Sequence, residues 1–185
     1  VLYAGSYERL WMKHYDLDAE LMDRLQNQVP GYSMRMQEVT AAMLTPQIER
    51  LSSIKKIHVD NWELLHSLIH DHPNIEIPMP LPEVDPFCDT MQFHLVGLSR
   101  DEADRFIDLM KQEGIPMQIF GARRNARDFR QWEYIKAHQD ELNETIANIE
   151  FACDLSMQPH LTQGNIRIMA QVIQDVLTYI GEQAH

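Results

Sequence analysis

The residues best suited to chemistry are arginines and histidines, and both types are clustered. Arg123, Arg124, Arg127 and Arg130 crowd one stretch, "GARRNARDFRQWEYI", of a chain with 28 acidic and 16 basic residues. A guanidinium presents a planar fork of donors that fits a carboxylate or a phosphate. The cluster therefore holds either a bound anion or some of the chain's own carboxylates. His94 lies inside the apolar run "MQFHLVGL". If that run is a strand, His94 faces away from Phe93 and Leu95. It is then either a half-buried, satisfied histidine or a site residue on a rigid element. His66 and His70 in "HSLIHDHP" stand four apart, which is ligand spacing on a helix. The stretch lacks the glutamate of a zinc protease, and a solvated helix end explains it as well. Arg35 sits between Met34 and Met36 in "GYSMRMQEVTAA", with Glu38 three residues on. The chain has no Gly-rich phosphate loop and no GxSxG. Its five lysines, Lys13, Lys55, Lys56, Lys111 and Lys136, lack the apolar setting that lowers an amine's pKa for Schiff-base work. No complete catalytic set is present, and no metal site is expected.

These side chains need elements to position them. "VLYAG" suits a strand, Ser6 to Tyr15 a helix, and Asp16 to Asn27 a helix with Leu17, Leu21 and Leu25 on one stripe, broken at Pro30-Gly31. From Met34 to His70 the reading is helical. Met36, Val39, Met43 and Leu44 share a face, and Ile48, Leu51, Ile54, Trp62, Leu65, Leu68 and Ile69 continue it. Thr45-Pro46 predicts a kink or a new helix capped by Thr45. "PNIEIPMPLPEVDPF" carries enough proline to be only extended or irregular. Met91–Leu98 reads as a strand. Ser99 and Glu102 form a capping box for a helix that buries Ala103, Phe106, Ile107 and Met110 and stops at Gly114. "IPMQIF" is a second strand, and "CDLSMQP" a third. A helix with Leu142, Ile146 and Ile149 on one face precedes the third strand. Thr162 caps a last helix that buries Ile166, Met169, Ile173, Val176, Leu177 and Ile180. The sum is α+β: a short three-stranded sheet covered by helices and preceded by long helices. Those long helices show more apolar face than three short strands can cover, so a further domain or subunit is expected against them.

Composition narrows the partners. A formal net charge of −12 disfavours nucleic acid and anionic membrane surfaces, which attract excess Lys and Arg. No apolar run reaches the roughly 18 residues that span a bilayer, and no signal-peptide pattern occurs. Cys88 and Cys153 form no framework and read as free thiols in a reducing, cytoplasmic setting. The chain opens on Val1 in an apolar run, which leads us to expect the remainder of something longer.

"GYSMRMQEVTAAMLTPQIERL" resembles a signature of the DegT/DnrJ/StrS family of sugar aminotransferases, through Gly31, Arg35, Met36, Glu38, Ala41, Ala42, Gln47 and Ile48. "FHLVGL", "DEADRFIDLMKQEGIPMQIFG" and "LSMQPHLTQGNIRIMAQVI" are similar to later family elements and follow in family order. The resemblance covers nearly the whole chain. It implies pyridoxal-phosphate enzymes of aspartate-aminotransferase-like fold, α/β overall, whose small C-terminal domain lies here. It divides the chain at 1–30 (end of the large cofactor domain), 31–72 (linking helices with the dimer and cofactor motif) and 73–185 (small domain). It places the lysine that holds the cofactor by a Schiff base upstream of Val1, outside this chain. It makes the protein a homodimer in which Ser33 and Arg35 reach the other subunit's cofactor. Ser33 stands where the family has asparagine, and its single hydroxyl offers one donor instead of two. His94 matches a strand histidine near the substrate.

The expectation is thus the C-terminal part of an enzyme that moves an amino group from glutamate or glutamine to a keto sugar, often nucleotide-linked. Ser33 and Arg35 would serve the cofactor, and His94, Arg123, Arg124 and Arg127 the substrate. The part alone would be inactive. The alternative is an interaction domain that kept the fold and lost catalysis.

Overall fold

The computed structural model describes residues 36–122, 129–132 and 142–183. Ser33, Arg35, Arg123, Arg124 and Arg127 lie outside the described residues, as do residues 1–30 and their expected strand and helices.

Among the described residues two helices come first, α1 (Glu38–Ile48) and α2 (Leu51–Ile69). The break falls after Pro46, at Glu49–Arg50, and not at Thr45-Pro46. Pro46 has no N–H for the Ala42 carbonyl, so the ladder weakens one turn before it ends. Thr45 does not cap α2; its hydroxyl donates back to the Ala41 carbonyl at 2.9 Å. No residue of α1 is buried, and Val39 and Ile48 are 69% and 66% exposed. α2 does reach the core, through Leu65 and Ile69. It also buries His58 and Asn61, which a search for apolar periodicity passes over. Asn61 Nδ2 donates to the Leu161 carbonyl at 3.1 Å.

Four strands follow: β1 (Ile75–Glu76), β2 (Thr90–Leu95), β3 (Met117–Ile119) and β4 (Ala152–Ser156). They form one antiparallel sheet in the order β1-β2-β4-β3. The expected three strands are all present. The fourth, β1, is a two-residue edge inside the proline-rich segment, paired with Leu95 and His94 ahead of Pro78, which has no N–H; the Ile75 N–H closes a turn on the His72 carbonyl at 3.0 Å. Between β2 and β3 runs α3 (Arg100–Gln112). Ser99 and Glu102 make its capping box, and Gly114, at φ +79°, ends it. The Ser99 hydroxyl and amide hold the Glu102 carboxyl below the usual carboxylate range.

The core fills one face of the sheet. Met91, Phe93 and Leu95 of β2 and Cys153 and Leu155 of β4 point into it, matching the period of two. Ala103, Phe106 and Met110 meet them from α3, with Ile107 half-buried. The last helix, α5 (Gln163–Gln183), follows α4 (Asn143–Glu150) in our numbering and buries all six expected residues and Ala170. Thr162 caps α5 reciprocally: its N–H donates to Asn165 Oδ1 at 2.9 Å, and its Oγ1 accepts from the Asn165 N–H at 3.2 Å. α5 packs on α2, where Gln174 Nε2 donates to the Leu68 carbonyl at 2.7 Å. The described helices that reach the core pack on this one face, and His94, Gln92 and Asp154 belong to the other. No helix among the described residues is long and apolar enough to cross a membrane.

Candidate functional site

His94 stands on the open face. Burial along β2 alternates, with Met91, Phe93 and Leu95 buried and His94 half-buried, so the imidazole points away from the core. The register sets Glu76 of β1 on one side of it and Ala152 of β4 on the other. Farther along the same face lie Gln92 and its partner Asp154. Gln118 of β3 donates to Asp154 Oδ2 at 3.4 Å. The open face is thus a polar array with one imidazole near its end.

Near that end stand Gly121 and Arg130, which flank residues 123–128 in the sequence. β3 runs to Ile119, which pairs with Cys153, one residue from the Ala152 that pairs with His94. The Phe120 N–H donates to the Ala152 carbonyl at 2.9 Å and the Gly121 N–H to the Ile149 carbonyl at 2.8 Å. A Cβ at Gly121 would lie 2.8 Å from that same oxygen, so only glycine allows the approach. On the return side, Arg130 Nη2 donates to the Gly121 carbonyl at 2.8 Å, and Nη1 to Glu150 Oε1 at 3.1 Å. Arg100 Nη1 binds the Glu150 carbonyl at 2.8 Å. Of the four clustered arginines, Arg130 therefore pairs with groups of its own chain. It ties the chain just after residues 123–128 to Gly121 just before them.

The histidine pair of α2 is used by its faces. Trp62, His66 and His70 stack in sequence, with centroids 5.0 and 5.2 Å apart. Burial, and then the neighbouring His70, lower the pKa of His66. Among the described residues no three ligand side chains converge as a metal site would need.

The lysines bear on what this part of the protein could hold. Lys55 pairs with Asp85, and Lys56 with both oxygens of Asp60 at 2.8 Å. Lys111 is exposed in the last turn of α3. None of these three described lysines is the desolvated, unpaired amine that carbonyl chemistry requires. The thiols are no substitute: burial pushes both Cys88 and Cys153 up, Cys153 strongly.

The sequence pattern of the DegT/DnrJ/EryC1/StrS aminotransferase family matches residues 9–174. A comparison with curated sequences returned no match. Among solved structures the chain resembles Spr1654 of Streptococcus pneumoniae, assigned as a sugar aminotransferase, in its PMP form. The TM-score is 0.67 and the identity 15%, over 82% of this chain and 38% of that one. It resembles 3-amino-5-hydroxybenzoic acid synthase at a TM-score of 0.65 and 20% identity, over 82% and 41%. Helicobacter pylori PseC, an aminotransferase of pseudoaminic acid biosynthesis, follows at a TM-score of 0.66 and 11% identity, over 82% and 40%. At such identities the likeness is one of fold. The chain spans about two fifths of the length of these proteins.

Proposed function

Because this chain belongs to the DegT/DnrJ/EryC1/StrS aminotransferase family, we infer that it is the C-terminal part of an enzyme that transfers an amino group from glutamate or glutamine to a keto sugar, often nucleotide-linked. The observation that carries this is the family match over residues 9–174, joined to a fold shared with sugar aminotransferases. Domain boundaries at 30 and 72 follow from the same reading, with residues 73–185 as the small domain. Its setting is a cytoplasmic homodimer.

The cofactor of the whole enzyme is pyridoxal phosphate, which supplies an electron sink for the amino group's carbon. The described residues do not fit it by themselves, because every described lysine is ion-paired or exposed on a helix end. By the family resemblance, Ser33 meets the other subunit's cofactor phosphate, Arg35 lines that site, and the Schiff-base lysine lies upstream of Val1. What this chain's described residues supply is a wall. His94 presents its imidazole from a rigid strand toward the substrate. Arg130 and Gly121 meet on either side of residues 123–128, whose Arg123, Arg124 and Arg127 hold anionic groups of sugar nucleotide or donor.

The test compares this chain with the product of its full reading frame. The longer protein should keep a pyridoxal absorbance band through dialysis and aminate a keto sugar nucleotide at the expense of glutamate or glutamine. The chain alone should do neither. A band retained by the isolated chain, or a full-length protein with no band and no transfer, overturns the reading. The second result would favour an interaction domain that kept the fold.

A further inference from the structure

The outer edge of β2 is only half covered. β1 pairs with Leu95 and His94 and no further. Along β2 the odd residues turn their backbone groups toward β4: the Leu95 N–H donates to the Phe151 carbonyl, and the Asp89 carbonyl accepts from the Met157 N–H. Thr90 and Gln92 therefore turn their N–H and C=O groups the other way, to an edge where no strand lies among the described residues. These groups lie at a partly exposed edge, where a ligand's hydroxyls can replace water on them.

A cleft of about 390 Å³ runs along that edge, within the range of small-molecule sites. Thr90 and Gln92 form one wall, Trp62 of α2 another, and the proline-rich strap between β1 and β2 closes it with Phe87 and Asp89. The strap is fastened to α2 by the Lys55–Asp85 ion pair and by Phe87 against His58, 5.2 Å between ring centroids. The cleft thus joins aromatic surface to a row of backbone donors and acceptors and one carboxylate.

We propose that this cleft binds a single pyranose-sized polyhydroxy ring. Its C–H face lies on the aromatic wall, and its hydroxyls meet the backbone of Thr90 and Gln92 and the carboxylate of Asp89. A wholly apolar ring would leave those backbone groups unpaired, and an anion would face Asp89. Gln92 lies two residues from His94, so the ring sits about 7 Å along β2 from the imidazole. The choice of a sugar over another polyol rests on the proposed function; the shape and polarity do not.

Methyl glucoside titrated into the ¹⁵N-labelled chain tests this, with cyclohexanol as an apolar ring of similar size. The glucoside should shift the Thr90 and Gln92 amides and the Trp62 indole saturably, and cyclohexanol should not. Trp62→Ala should weaken binding tenfold or more, and Asp89→Asn several-fold. If Trp62→Ala does not fold, Asp89→Asn and Gln92→Ala carry the test. Absence of saturable shifts at these resonances, equal response to cyclohexanol, or unchanged affinity in folded variants overturns the proposal. Amino transfer by the full-length protein is read separately, so either idea can fail while the other stands.

Discussion

Gly121 shows how much one position can decide. Its missing Cβ lets the first residues after β3 bond the Ile149 carbonyl at 2.8 Å, and Arg130 then closes on the Gly121 carbonyl. The clashing atom in Gly121→Ala is backbone, which cannot rotate away. We expect a loss of roughly 1–3 kcal/mol, read as a lower urea midpoint. His66 and His72 give a second residue-scale effect. Burial lowers both pKa values, and His72 Nδ1 accepts from the Asn74 N–H at 3.2 Å, which requires an unprotonated nitrogen. The unfolded chain therefore takes up protons first. The stability these rings contribute is whole above about pH 6.5 and is lost as pH falls through the lowered folded values. Urea midpoints at pH 7.5 and 5.5 should differ in that sense, and His66→Gln should shrink the difference. A midpoint that rises on acidification would contradict the argument.

At the scale of elements, ends and faces were legible because they depend on neighbours in sequence. Ser99 with Glu102 and Gly114 bound α3, and Thr162 opens α5, through contacts three or four residues apart. Thr162→Ala removes the acceptor for the Asn165 N–H and should cost about 1 kcal/mol in thermal or urea unfolding. Asn165→Ala should cost part of the same amount, since the two share one reciprocal cap. The helix break missed its expected place by a few residues because Pro46 acts on the carbonyl four before it, and the last turn survives that loss. β1 was hidden in a stretch whose prolines argue against strand. Its two residues pair only because β2 offers an edge, and nothing local announces that.

At the scale of the whole molecule, the described helices that reach the core cover one face of a sheet with four described strands, and His94, Glu76, Gln92 and Asp154 belong to the other. His94→Ala should leave stability within about 0.5 kcal/mol, because the imidazole adds nothing to the core. In the full-length protein the same change should lower amino transfer. Equal loss of stability and activity would make it a structural histidine. Val39, Met43 and Ile48 on α1 remain bare, and no described element covers them. Periodicity, caps, charge and motif order are local or additive properties, so the sequence by itself determined the two helices that follow capping motifs, three strands, the family and the outward direction of His94. Only the tertiary structure decided which strands are neighbours. It decided that Arg130 spends its charge on Glu150, that His58 and Asn61 are buried, and that Thr90 and Gln92 face an open cleft. Each of those depends on which distant segment a residue meets, and chain spacing carries no record of that.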